Sequence, residues 1–188
     1  DMLKNGNIGP TLLKLSIPTI AGMLVMAVYN MVDTLFVGLL RDTTAIAATG
    51  IVFPIFQLIG AIGLTFGMGA ASVVSRRLGA NDEEGAQRSA STAFYSAMGI
   101  GILFSVSGVI FSSPLLRLFG ATESILAAAN LYGRIILCGS IFQVLNMCMN
   151  NIIRSEGAAS YSARALFLGS GLNIALDPVF MFLFGMGL

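Results

Sequence analysis

Apolar residues gather in five long runs, at about 12–40, 46–74, 89–112, 126–152 and 164–188, and most of the charge sits between them. The intervening segments are RDTT at 41–44, RRLGANDEEGAQR at 76–88, SSPLLRLFGATES at 112–124 and RSEGAASYSAR at 154–164. Each run reaches the roughly 20 residues that a helix needs to cross about 30 Å of hydrocarbon. None alternates strictly between polar and apolar positions, so they read as helices and not as barrel strands. The pattern predicts an all-α, polytopic transmembrane helix bundle of about five spans with short polar loops.

Composition agrees: of 188 residues, 56% are hydrophobic and only 10% charged, with a mean hydropathy of +0.87. That is far more apolar than a soluble domain. A net charge of +1 gives no reason to expect nucleic acid as a partner. The bilayer is the expected surrounding. Lys4, Lys14, Arg76, Arg77, Arg88, Arg154 and Arg164 fall on the side of the N-terminus, against Arg41 and Arg117 on the other. The excess of basic loops predicts a cytoplasmic N-terminus in the plasma (inner) membrane. The first run is too long for a cleavable signal peptide. A chain that opens on Asp1 and has an odd number of spans is expected to be a piece of something longer.

Local chemistry refines the spans. Asn81 followed by Glu84 reads as an N-cap and capping box at the entry to the third span, with Arg88 in reach of Glu84 one turn on. Gly60, Gly63, Gly67 and Gly69 in the second span offer small surfaces for close helix packing. Pro18, Pro54 and Pro178 each fall inside a run. There a proline frees the carbonyl four residues earlier, at Lys14, Gly50 and Ile174, so bending is expected at Pro18 and Pro178. Cys138 and Cys148 stand about 15 Å apart on one helix, too far for a disulfide.

The polar residues inside the runs carry the functional reading. Asp33 and Asp177 are two acids well inside apolar segments, each costing about 2.5–3.5 kcal/mol at a span centre. Both belong in the outer half of the bilayer, at similar depth. Each has a polar companion one turn earlier, Tyr29 before Asp33 and Asn173 before Asp177, so each pair shares a helix face. Asn30, Gln143 and Asn146 are further supporting polar residues, and Asn150 and Asn151 follow in the fourth run. The chain has no histidine, which excludes an imidazole relay or ligand. Two carboxylates with amide and phenol oxygens suit either a proton or a hard cation such as Na⁺, for which Asp33, Asn173 and Asp177 are the candidate ligands. No cofactor is expected. The bland alternative is that these acids satisfy helix backbones or pair with Arg134, the one arginine inside a run.

LSIPTIAGMLVMAVYNMVDTLFVG, ASVVSRRLGANDEEGAQR, NNIIRSEGAAS and LNIALDPVFMF, taken in that order, span nearly the whole chain. As a set they resemble the N-terminal part of a multidrug and toxic compound extrusion (MATE) transporter, the DinF-like branch more than the others. The resemblance implies one lobe of a two-lobe transporter, residues 1–188 lacking a sixth helix and the C-terminal lobe of the same protein. It implies cation-coupled antiport by Na⁺ or H⁺, exporting small-molecule drugs such as organic cations, and not an enzyme. It puts the coupling-ion site on Tyr29, Asp33, Asn173 and Asp177. Two alternatives stand beside it: a lipid-linked precursor flippase of the same superfamily, and an intramembrane aspartyl protease. The protease reading suffers from the setting of Asp177 in ALDP instead of GxGD.

Overall fold

Long apolar runs with their backbone groups satisfied internally fold here as helices, and in the computed structural model every regular element among the described residues, 8–39 and 43–179, is helical. They are α1 (Ile8–Leu39), α2 (Thr43–Gly79), α3 (Glu83–Ile110), α4 (Ser112–Leu118), α5 (Glu123–Ser155) and α6 (Ala159–Pro178). Of these, α2, α3 and α5 are long and apolar enough to cross a membrane. The far end of the fifth apolar run, 180–188, lies outside the described residues.

Two boundaries differ from the sequence reading. The expected loop at 112–124 contains α4, a helix of 7 residues that buries Ser112 and Leu116. Pro114 is tolerated because it stands in the first turn, where its missing amide would have had no intrahelical partner. The expected loop at 154–164 is shorter, since α6 already begins at Ala159. Ser162, read as a loop residue, is a buried helical residue whose hydroxyl donates to Asn150 Oδ1 at 2.7 Å.

Packing centres on α5. Its buried residues Ala129, Gly133, Leu137, Ser140, Val144, Cys148 and Ile152 recur every three or four positions, and α2 shows the same stripe from Ala45 to Val74. The two stripes face each other, α3 packs on both, and α4 lies against α5. The pairing is as close as it is because of glycine. A methyl group at Gly63 would come within 2.8 Å of Met147 Cβ and 2.9 Å of the Val144 carbonyl. One at Gly67 would come within 3.1 Å of Cys148 Cα. The expected packing role of these glycines is met at Gly63 and Gly67; at Gly69 nothing lies within 4 Å.

The turn between α2 and α3 corrects the capping assignment. Asp82, not Asn81, caps α3: its Oδ1 accepts from the Gly85 amide at 2.8 Å, while Oδ2 takes Arg77 at 3.1 Å. Asn81 has φ 61°, the left-handed conformation asparagine accepts more readily than most residues, and it reverses the chain. Arg88 pairs with Glu84 at 2.8 Å as expected. Asp82→Ala removes the cap and is expected to cost about 1 kcal/mol, a fall in Tm of about 2–4 °C. Thermal unfolding of the purified protein in detergent checks it, with Glu83→Ala as the comparison.

The fold has a second, looser part. α1 packs chiefly against α6 and touches α2 only lightly, and α6 makes a small contact with α5. The two helices that carry Asp33 and Asp177 therefore form a pair beside the α2–α3–α5 core.

Candidate functional site

The α1–α6 pair is anchored where Gly22 is buried against α6. A methyl group there would come within 3.2 Å of Leu166 Cδ1 and 3.9 Å of Ala163 Cα. By chain order, with α2, α3 and α5 each reversing direction and α4 too short to cross, α1 and α6 run parallel. Steps along one are then matched by equal steps along the other.

Counting from this anchor links the polar pairs. Tyr29 lies seven residues beyond Gly22, and Asn173 lies seven beyond Leu166. Asp33 and Asp177 lie eleven beyond the same two positions. At about 100° per residue, seven steps fall some 20° short of two turns and eleven run some 20° past three, so all stay within about 20° of the anchor's face. Gly22, Tyr29 and Asp33 thus share one stripe of α1, and Leu166, Asn173 and Asp177 the matching stripe of α6. Tyr29 and Asn173 are half-buried, and each has an interaction partner. Asp33 and Asp177 belong to the helices by their backbones. Their side chains lie outside the described part of the structure.

The supporting residues sit elsewhere. Asn30, one position round from Tyr29, is exposed and donates to its own helix at Met26 O, 2.8 Å. Gln143 faces α2, where its Nε2 lies 3.9 Å from a methyl group built at Gly60. Asn146 accepts from Asn150 Nδ2 at 2.6 Å, and Asn150 in turn accepts from Ser162. Arg154 Nη2 donates to Asn151 Oδ1 at 3.1 Å. The α5 asparagines thus form a polar link toward the start of α6, some distance along α6 from Asn173. Arg134 donates from Nε to Ser112 Oγ at 3.2 Å, a tie between α5 and α4. Pro18 lies within an unbroken α1, and Pro178 is the last residue of α6.

Sequence reasoning missed Gly22, whose neighbours show no small-residue repeat, and the Asn150–Ser162 bond, which needs α6 to begin early. No group among the described residues brings together enough His, Cys, Asp or Glu side chains to hold a metal ion.

A family model named MatE matches residues 18–179. The chain belongs to the MatE family. MatE membership makes it an integral membrane protein, in keeping with its apolar helices. It is 29% identical over 167 residues to the multidrug export protein MepA of Staphylococcus aureus, covering 89% of this chain and 37% of that one. Among solved structures, a point mutant of a MATE transporter superposes with a TM-score of 0.93 at 35% identity, over 99% of this chain and 42% of the other. A MOP superfamily transporter from Pyrococcus furiosus, described by the reversed polarity of its binding pocket and a suggested different function, gives 0.88 at 36% identity, over 94% and 39%. The chain therefore spans about two fifths of the length of the MatE relatives it matches.

Proposed function

We propose that this chain is the ion-coupling part of a multidrug exporter, in which Na⁺ or H⁺ entering the cell drives small-molecule drugs such as organic cations out across the plasma membrane. The single observation supporting it most is the common stripe of the α1–α6 seam, along which Tyr29, Asp33, Asn173 and Asp177 recur at the same two intervals from one close contact. Acids within a membrane segment cost too much to be retained idly. The kinship with an export protein that handles drugs points the same way.

The mechanism follows from the pairing. On this proposal Asp33 and Asp177 share one site, where two carboxylates would repel until a proton or a cation is held between them, so ion binding favours the closed α1–α6 seam and ion release favours a looser one. Coupling requires that the two transport states differ in affinity for the ion. A seam that packs lightly on the α2–α3–α5 core is suited to make that difference. Bending of α1 at Pro18, where the Lys14 carbonyl lacks its amide donor, gives it a way to move. The remainder of the drug path is proposed to come from a second lobe.

The test is export of a fluorescent organic cation from proteoliposomes by the full-length protein, with a Na⁺ gradient or a pH gradient imposed separately. One gradient is expected to drive efflux and its collapse to stop it. Efflux indifferent to both would sink the coupling proposal. The lipid-linked precursor flippase is the second reading; the different function suggested for the Pyrococcus relative leaves room for a substrate other than a drug without naming one. A labelled lipid-linked sugar moved between leaflets, with no dye moved, would put it first.

A further inference from the structure

We propose that the seam between α2 and α3, at the end of the bundle bearing Arg76, Arg77 and Arg88, is a binding site for one anionic phospholipid. A groove of about 570 Å³ runs there, from Arg77 and Arg88 at its mouth down to Phe66, Val73 and Ala93 along its walls. From Arg77 to Phe66 is eleven residues, about 16 Å of helix, so the groove descends from the membrane surface well into the hydrocarbon. An apolar cleft of that depth suits an acyl chain. Its wall includes Gly69, beside which nothing lies within 4 Å, and the missing side chain leaves the cleft open.

The mouth supplies the charge. The side chains of Arg77 and Arg88 remain exposed to 45% and 78%. Each is paired among the described residues through one nitrogen, Arg77 Nη1 with Asp82 at 3.1 Å and Arg88 Nη2 with Glu84 at 2.8 Å. Exposed pairs of this kind hold their partners weakly, and the other guanidinium donors are left for a phosphate. The nearby hydroxyls do not compete, because Thr65, Ser89 and Thr92 donate to carbonyls of their own helices. Two arginines lining the mouth of one greasy cleft match a phosphatidylglycerol-like lipid better than a zwitterionic one. The proposal is independent of which ion drives transport.

The experiment is native mass spectrometry of the full-length protein released from nanodiscs of phosphatidylcholine containing a minority of phosphatidylglycerol. The wild type is expected to retain phosphatidylglycerol selectively. Arg77→Gln with Arg88→Gln is expected to weaken that retention about 25-fold, at roughly fivefold per arginine. Gly69→Leu, whose first carbon meets nothing within 4 Å, is expected to fill the cleft and lose the lipid while keeping the wild-type Tm. Arg117→Gln at the opposite end is expected to change nothing. Equal retention of both lipids by the wild type would overturn the proposal, as would undiminished selectivity in both the double arginine variant and Gly69→Leu.

Discussion

Asp33→Asn is expected to abolish gradient-driven export while leaving the protein inserted and folded. The substitution preserves size and removes the charge that a proton or Na⁺ would neutralise. Hydrogen bonds or ion contacts to a charged group are worth about 1.5–3 kcal/mol, so ion affinity should fall by about 10- to 150-fold. An intramembrane acid also costs free energy to bury, so its neutral amide should not unfold the helix pair and is expected to hold or raise Tm. Asp177→Asn should behave alike, because both residues stand at the same interval from the Gly22–Leu166 contact. Dye efflux and thermal unfolding measured on the same preparations separate the two effects. Export at the wild-type rate by the Asp33→Asn protein would remove it from the coupling site.

Gly63→Val is expected to have the largest structural effect. Its first carbon alone would sit 2.8 Å from Met147 Cβ and 3.0 Å from Val144 Cα, and two further methyl groups would have to go somewhere. The contact atoms belong to the backbone and Cβ of α5, which cannot rotate away. Overpacking of this kind costs about 1–3 kcal/mol, and more where backbone must shift. Since α2 and α5 build the core, separating them loosens the whole lobe. The measurement is the monodisperse fraction by size exclusion together with Tm, with Gly99→Ala as the control, since a methyl group at Gly99 would meet no other part of the fold within 4 Å. A Gly63→Val protein as stable as the wild type would mean that the α2–α5 approach is looser than described.

These two predictions rest on parts of the molecule that the sequence displayed unequally. The apolar runs that became α2, α3 and α5 were plain because a bilayer demands length and hydrophobicity, and both can be counted. The four-residue spacing of Gly63 and Gly67 marked a packing face, though not its partner. The segment SSPLLRL reads as a loop because seven residues are too few for periodicity to speak, and its burial of Leu116 depends on where α5 lies. At the α2–α3 turn, adjacent Asn81 and Asp82 are both good caps, and the choice between them depends on which one takes the left-handed conformation.

The candidate site was legible by halves. Spacing alone pairs Tyr29 with Asp33 and Asn173 with Asp177. It says nothing of the relation between the pairs, which needs the Gly22 contact to set one helix against the other. Asn30 and Gln143, equally polar and equally apparent in the sequence, lie off the α1–α6 line: Asn30 is one position round from the α1 stripe, and Gln143 stands on α5 facing α2.

The most direct test of the proposed ion site is the reactivity of Asp33 and Asp177 toward a hydrophobic carbodiimide, which modifies protonated carboxyl groups in apolar surroundings. Labelling of the full-length protein would be mapped by mass spectrometry across about pH 5 to 9, with and without Na⁺. The account predicts that both acids are modified, and that labelling falls as pH rises if H⁺ is the driver or with added Na⁺ if Na⁺ is. Labelling at Asp33 and Asp177 that ignores both ions, or that never occurs, would contradict it.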